Sequence, residues 1–192
     1  MDLSMMGPGA VRVARSLAQS VNGELDNDAK SPEESWDALR GALAQQIAIA
    51  LDDEAGRAVP LGTWLMEDIV LQAYEASDGV SGRARALLGI PETTFRRRLR
   101  KATSKARAEL LTRKPQWRSL APTLGALVRT KGLADDDVLQ RARRILLEEV
   151  VARTDDPTIG AALMGVTGRT FRRWVAAERD RSVEQPLFAS AG

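Results

Sequence analysis

The chain is 192 residues long, 44% hydrophobic and 28% charged, enough for one medium domain or two small ones with buried cores. It has no cysteine and no histidine. That removes disulfides, thiol nucleophiles, cysteine or histidine metal sites, the serine–histidine triad and the usual proton shuttle near neutral pH. An enzyme made from this chain would have carboxylates, lysines and hydroxyls alone, so the sequence reads as a non-enzyme with no cofactor and no metal.

The net charge of +2 hides an uneven distribution: residues 1–80 carry −9, residues 83–114 carry +9 and residues 115–192 carry +2. Clustered Arg and Lys suit a phosphate-bearing partner, because they displace its condensed counterions. Solvated helix faces are the plainer account of such a block. No apolar run is long enough to span a membrane, and the first twenty residues lack a signal-peptide pattern, so a cytoplasmic location is expected.

In chain order, residues 1–32 hold Gly7, Pro8 and Gly9 and the polar run NGELDNDAKS, and read as a flexible N-terminal arm. A helix is expected in SPEESWDALRGALAQQIAIALDDE, where Trp36, Leu39, Leu43, Ile47 and Leu51 recur at spacings of three and four. Ser31, Pro32 and two Glu residues make a good helix start. A second helix is expected from Gly62 to Ala76, through Trp64, Leu65, Ile69 and Ala73, after a break at Gly56, Pro60 and Gly62. Beyond Lys114 and Pro115 the pattern restarts with PQWRSLAPTLGALVRT and DDDVLQRARRILLEEVVART, the latter opened by Asp135 to Asp137. Residues 183–192 read as a flexible tail.

The restart is an internal repeat. At an offset of 76, ALLGIPETTFRRR (86–98) falls on ALMGVTGRTFRRW (162–174), with seven identities in thirteen positions. At an offset of 81, Trp36, Leu39 and Leu43 fall on Trp117, Leu120 and Leu124. The units run from 33 to 112 and from 115 to 182. The expected fold class is therefore all-α, two tandem helical units that each end in a helix-turn-helix.

In the first unit Ser81–Leu88 is the supporting helix, Gly89-Ile90-Pro91 the turn and Glu92 the start of the recognition helix. Phe95 and Leu99 face the core, leaving Thr93, Thr94, Arg96, Arg97, Arg98 and Lys101 for DNA. The second unit repeats this with Gly165-Val166-Thr167, with Phe171 and Val175 inside and Arg169, Thr170, Arg172 and Arg173 outside. The recognition helix of the first unit continues through FRRRLRKATSKARAELLTRK, with an apolar stripe on one side and a basic back.

These residues resemble the Fis-type helix-turn-helix of the bacterial protein Fis and of the C-terminal domains of NtrC-like activators. The resemblance rests on Gly79, Ala84, Leu88, Gly89, Ile90, Thr94, Arg97, Arg98 and Leu99, and on Ala161, Gly165, Val166, Thr170, Arg173 and Val175. It covers about 35 residues of each unit. Arg85 stands where the family has a second small Ala, and Glu92 and Gly168 stand where it often has a basic contact residue.

The resemblance implies a bacterial transcription regulator that binds double-stranded DNA in the nucleoid. RNA polymerase or another regulator is a further candidate partner, and a homodimer a candidate assembly. Two alternatives stay open, a helix-turn-helix retained for binding protein and a nucleoid protein of low sequence specificity. The four tryptophans sit at helical positions, with core packing expected for Trp36, Trp64 and Trp117 and partial exposure for Trp174. The acidic pairs Asp52-Asp53, Glu148-Glu149 and Asp155-Asp156 are expected to cap helices or lie on polar faces. No Gly-x₄-Gly-Lys-Ser/Thr loop is present, so the ATPase module of NtrC-like activators is missing.

Overall fold

The structure is a computed structural model that describes residues 31–53, 59–109, 115–130 and 137–184. The expected arm up to residue 30 and the end of the expected tail, from residue 185, lie outside the described residues. The described residues are helical, with no strand among them. In order they form α1 (Pro32–Asp52), α2 (Leu61–Ala76), α3 (Ser81–Leu87), α4 (Glu92–Glu109), α5 (Pro115–Arg118), α6 (Ala121–Arg129), α7 (Val138–Val151), α8 (Pro157–Met164) and α9 (Gly168–Glu184). The all-α class is as expected from the periodicity, and α9 runs two residues into the expected tail.

Local chemistry sets several boundaries. Asp137 caps α7 by accepting from the Gln140 amide at 3.0 Å, satisfying one of the donors that a helix N-terminus leaves over. Asp156 does the same for α8, accepting from the amides of Thr158 and Ile159, and Pro157 follows with its preset φ. The segment PQWRSLAPTLGALVRT is not one helix. Pro122 cannot donate a backbone hydrogen bond to the turn before it, so the chain turns at Ser119 and Leu120 between α5 and α6.

The opening helix α1 packs chiefly on α6 and α7, while α2 takes α6 and α7 together with α3, α4 and α8. Leu39, Leu43, Ile47, Leu65, Ile69, Leu124, Leu127 and Leu146 are buried together in one core, each contributing about 1.5–3 kcal/mol over exposure. From Pro32 onward the described residues belong to one compact unit. The segments on either side of residue 112 therefore share a core.

Each opening helix lies over the other segment's second helix. Trp117 meets Trp64 of α2 edge-on, centroids 5.6 Å apart, and its indole Nε1 donates to Asp68 at 2.7 Å. Conversely, Trp36 of α1 lies under the guanidinium of Arg141 on α7, at 4.8 Å. Arg141 in turn donates to Glu33, and Arg40 of α1 reaches Glu148 at 2.7 Å and Glu149 at 3.0 Å. The Glu148-Glu149 pair thus ties helices together. Glu149 is buried and also pairs with Arg153.

Positions 76 apart exchange partners across this core. The Val138 amide donates to the Leu88 carbonyl at 3.2 Å. Seventy-six residues earlier than Val138, Gly62 backs onto Met164, the position 76 after Leu88, so closely that a Cβ would lie 2.5 Å from the Met164 carbonyl oxygen. In the register of the expected repeat, these two contacts are each other's counterpart.

Candidate nucleic-acid interface

Two helix-turn-helix hairpins flank the core, α3–α4 and α8–α9. Their turns are built alike, with Gly89 at φ 63° and Gly165 at φ 67°, a left-handed backbone that favours glycine. Ile90 donates to the Arg85 carbonyl at 3.2 Å and Gly89 to that of Ala86 at 3.3 Å. Val166 and Gly165 repeat these bonds to Ala161 and Ala162 at 3.0 and 2.9 Å. This pair of bonds closes the last carbonyls of a helix ending on a left-handed residue.

One turn into each following helix a phenylalanine enters the core. Phe95 is fully buried 6.5 Å from the Tyr74 ring. The buried Phe171 ring fills the space a side chain at Gly160 would need. Ala84 is the matching buried small residue of the first hairpin, and Arg85 beside it faces solvent. Arg85 thus lies on an open face.

Of the residues expected to meet DNA, Thr93, Arg96, Arg97 and Lys101 on α4 and Arg169, Arg172 and Arg173 on α9 are exposed. Thr94 and Thr170 are half-buried. The Thr170 hydroxyl is 3.0 Å from that of Thr167, whose oxygen also accepts from the Thr170 amide. Arg96 is paired with Glu92 at 2.5 Å, so the first hairpin neutralises one of its own cations. Arg98 differs from its neighbours, being half-buried with Nε enclosed and without a hydrogen-bond partner.

Arg98 and Lys101 line a cleft between the segments, together with Glu67, Arg143, Gly165 and Trp174. The Arg143 guanidinium stacks on Trp174 at 4.7 Å. Its pKa is lowered, first by burial and then by the positive charge of Arg98, with Asp137 opposing and Arg181 adding to the effect. Arg143 was not among the expected site residues. In the sequence it belongs to the polar side of an ordinary amphipathic helix, and only the fold carries it to Arg98. Trp174 is half-buried here, in keeping with the partial exposure expected of it, while Trp36, Trp64 and Trp117 are buried.

Two other pKa values depart from the ordinary. Asp156 is lowered, chiefly by the Thr158 amide it accepts from. Arg40 is raised, led by its hydrogen bond to Glu148. Among the described residues no group of carboxylates is placed to hold a metal ion, and no helix is long and apolar enough to cross a membrane. No protein-family model, no curated protein and no solved structure matches this chain.

Proposed function

We propose that the protein binds double-stranded DNA through its two hairpins and acts as a bacterial transcription regulator. The two tandem units would stand as a covalent pseudo-dimer. The observation that carries this reading is the pair of like-built hairpins with exposed arginines on the opening turns of α4 and α9, Arg96 and Arg97 on one and Arg169, Arg172 and Arg173 on the other. A helix held by such a turn can enter the major groove with its N-terminal residues toward base edges and phosphates. The exchanged contacts of Gly62, Leu88, Val138 and Met164 favour a bound site made of inverted rather than direct half-sites. Because Glu92 and Gly168 differ, the half-sites would differ in sequence as well.

Fluorescence anisotropy of labelled duplex DNA at several salt concentrations tests this. The expected result is an affinity that falls steeply with salt and is weakened by both Arg96→Ala/Arg97→Ala and Arg172→Ala/Arg173→Ala. Absence of binding at low salt would overturn the reading. The Glu92–Arg96 pair favours a second one, in which the first hairpin binds protein. In that case only the variant on α9 would weaken duplex binding.

A further inference from the structure

The cleft between the segments has a composition that neither the core nor the hairpins account for. It measures about 290 Å³ and brings Arg98 and Lys101 of α4 toward Arg143 of α7, with Glu67 as the carboxylate in its lining. Arg98 and Arg143 are close enough for each to feel the other's charge, and the buried Arg98 Nε has no acceptor. Two like charges held partly out of water cost free energy that neither repays to the other. The opening turns of α2, at Gly62 and Thr63, and of α7, at Leu139 and Gln140, border the same space. The positive ends of two helix dipoles add to the field there. Against Glu67 in the lining and Asp137 acting on Arg143, the three cations and the two helix starts leave the position favourable to negative charge.

We propose that the cleft is a binding site for a small phosphorylated molecule, with Arg98 and Arg143 clamping the phosphate from opposite sides. Guanidinium forks match phosphate oxygens in geometry and charge, and the Arg98 Nε gains the acceptor that it lacks. The volume is at the small end of ligand sites, which run from about 300 to 1,000 Å³, so the occupant is a metabolite-sized anion. Trp174 holds the Arg143 guanidinium by its stacked face, fixing one half of the clamp before the ligand arrives. The proposal is separable from the duplex reading through Arg143, which lies outside the expected duplex face, whereas Arg98 and Lys101 belong to it.

Isothermal titration of the full chain with pyrophosphate, at ionic strength held constant with sodium chloride, tests the site. The expected result is saturable one-to-one binding that Arg98→Gln and Arg143→Gln each weaken at least tenfold, and that Arg172→Ala/Arg173→Ala leaves within twofold. Arg98→Gln should also raise or preserve the melting temperature, since it removes one of two repelling charges, and this separates a lost site from a lost fold. Absence of saturable binding, or binding indifferent to Arg98→Gln and Arg143→Gln, would overturn the proposal. Arg143→Gln, at a residue outside the expected duplex face, is then titrated with duplex DNA. Affinity kept within threefold of the parent places the phosphate on a free molecule. Loss of duplex and pyrophosphate binding together would mean that the cleft seats DNA backbone, and would overturn the small-molecule site without touching the duplex reading.

Discussion

The amide of Val138, the first residue of α7, donates to the carbonyl of Leu88 in the turn of the first hairpin at 3.2 Å. The second segment therefore begins its second helix on the first segment's hairpin, and the Gly62–Met164 approach returns the favour. These two contacts pin both hairpins to the central helices.

Filling the Gly62 approach should loosen that attachment. Gly62→Leu places a side chain against the Met164 carbonyl, where backbone rather than a flexible side chain must move. A loss of about 1–3 kcal/mol is expected. Urea unfolding followed by circular dichroism measures it, and unfolding should remain a single transition because both segments share one core.

Trp117 combines an aromatic contact with a hydrogen bond to Asp68. Trp117→Phe keeps most of the ring and loses the donor, for an expected cost of about 1–2 kcal/mol. Trp117→Ala empties the site and should cost about 3–5 kcal/mol. An equal cost for both substitutions, in the same urea experiment, would show that the hydrogen bond rather than the packing dominates.

On α4, Glu92 holds Arg96 at 2.5 Å on an exposed face. Glu92→Gln releases that arginine and removes a negative charge from the proposed duplex face. Duplex affinity should rise, and the slope of log affinity against log salt should steepen by up to about one unit. Anisotropy titrations across salt concentrations read both quantities. An unchanged slope would place Arg96 away from phosphate.

Asp156 caps α8 and its pKa is lowered on folding, first by the Thr158 amide. Its contribution is complete above the ordinary carboxylate pKa of about 3.9 and is lost as pH falls through the lowered folded value. The parent should therefore lose stability over this acid range faster than Asp156→Asn, which has no charge to lose. Melting temperatures of the two proteins between neutral pH and pH about 2 check this, and parallel curves would contradict it.

Much of the local structure was legible in residue order. Asp137 and Asp156 at helix starts, the glycines at 89 and 165, and the start of α4 at Glu92 follow from short-range chemistry, with each partner within a few residues. Burial of Trp36, Trp64 and Trp117 follows from helical spacing. The break at Ser119 and Leu120 has a local cause as well, the missing amide of Pro122, although helical spacing alone runs PQWRSLAPTLGALVRT together as one pattern. The partial enclosure of Arg98 was not legible, because its face of α4 looks like the rest of the basic back and no neighbour in sequence marks it.

What the order of residues decided by itself is the helical class, the two hairpin turns and which faces are apolar, because backbone propensity, caps and amphipathic period act within one or two turns. What only the tertiary structure decided is which apolar face covers which. The two segments carry similar stripes, so α1 could have covered α2 or α7 on hydrophobicity alone, since burial has no direction. Packing on α7, with Trp36 under Arg141 and Arg40 between Glu148 and Glu149, is set by side chains more than a hundred residues apart. That same choice brings Arg143 beside Arg98 and opens the cleft between them.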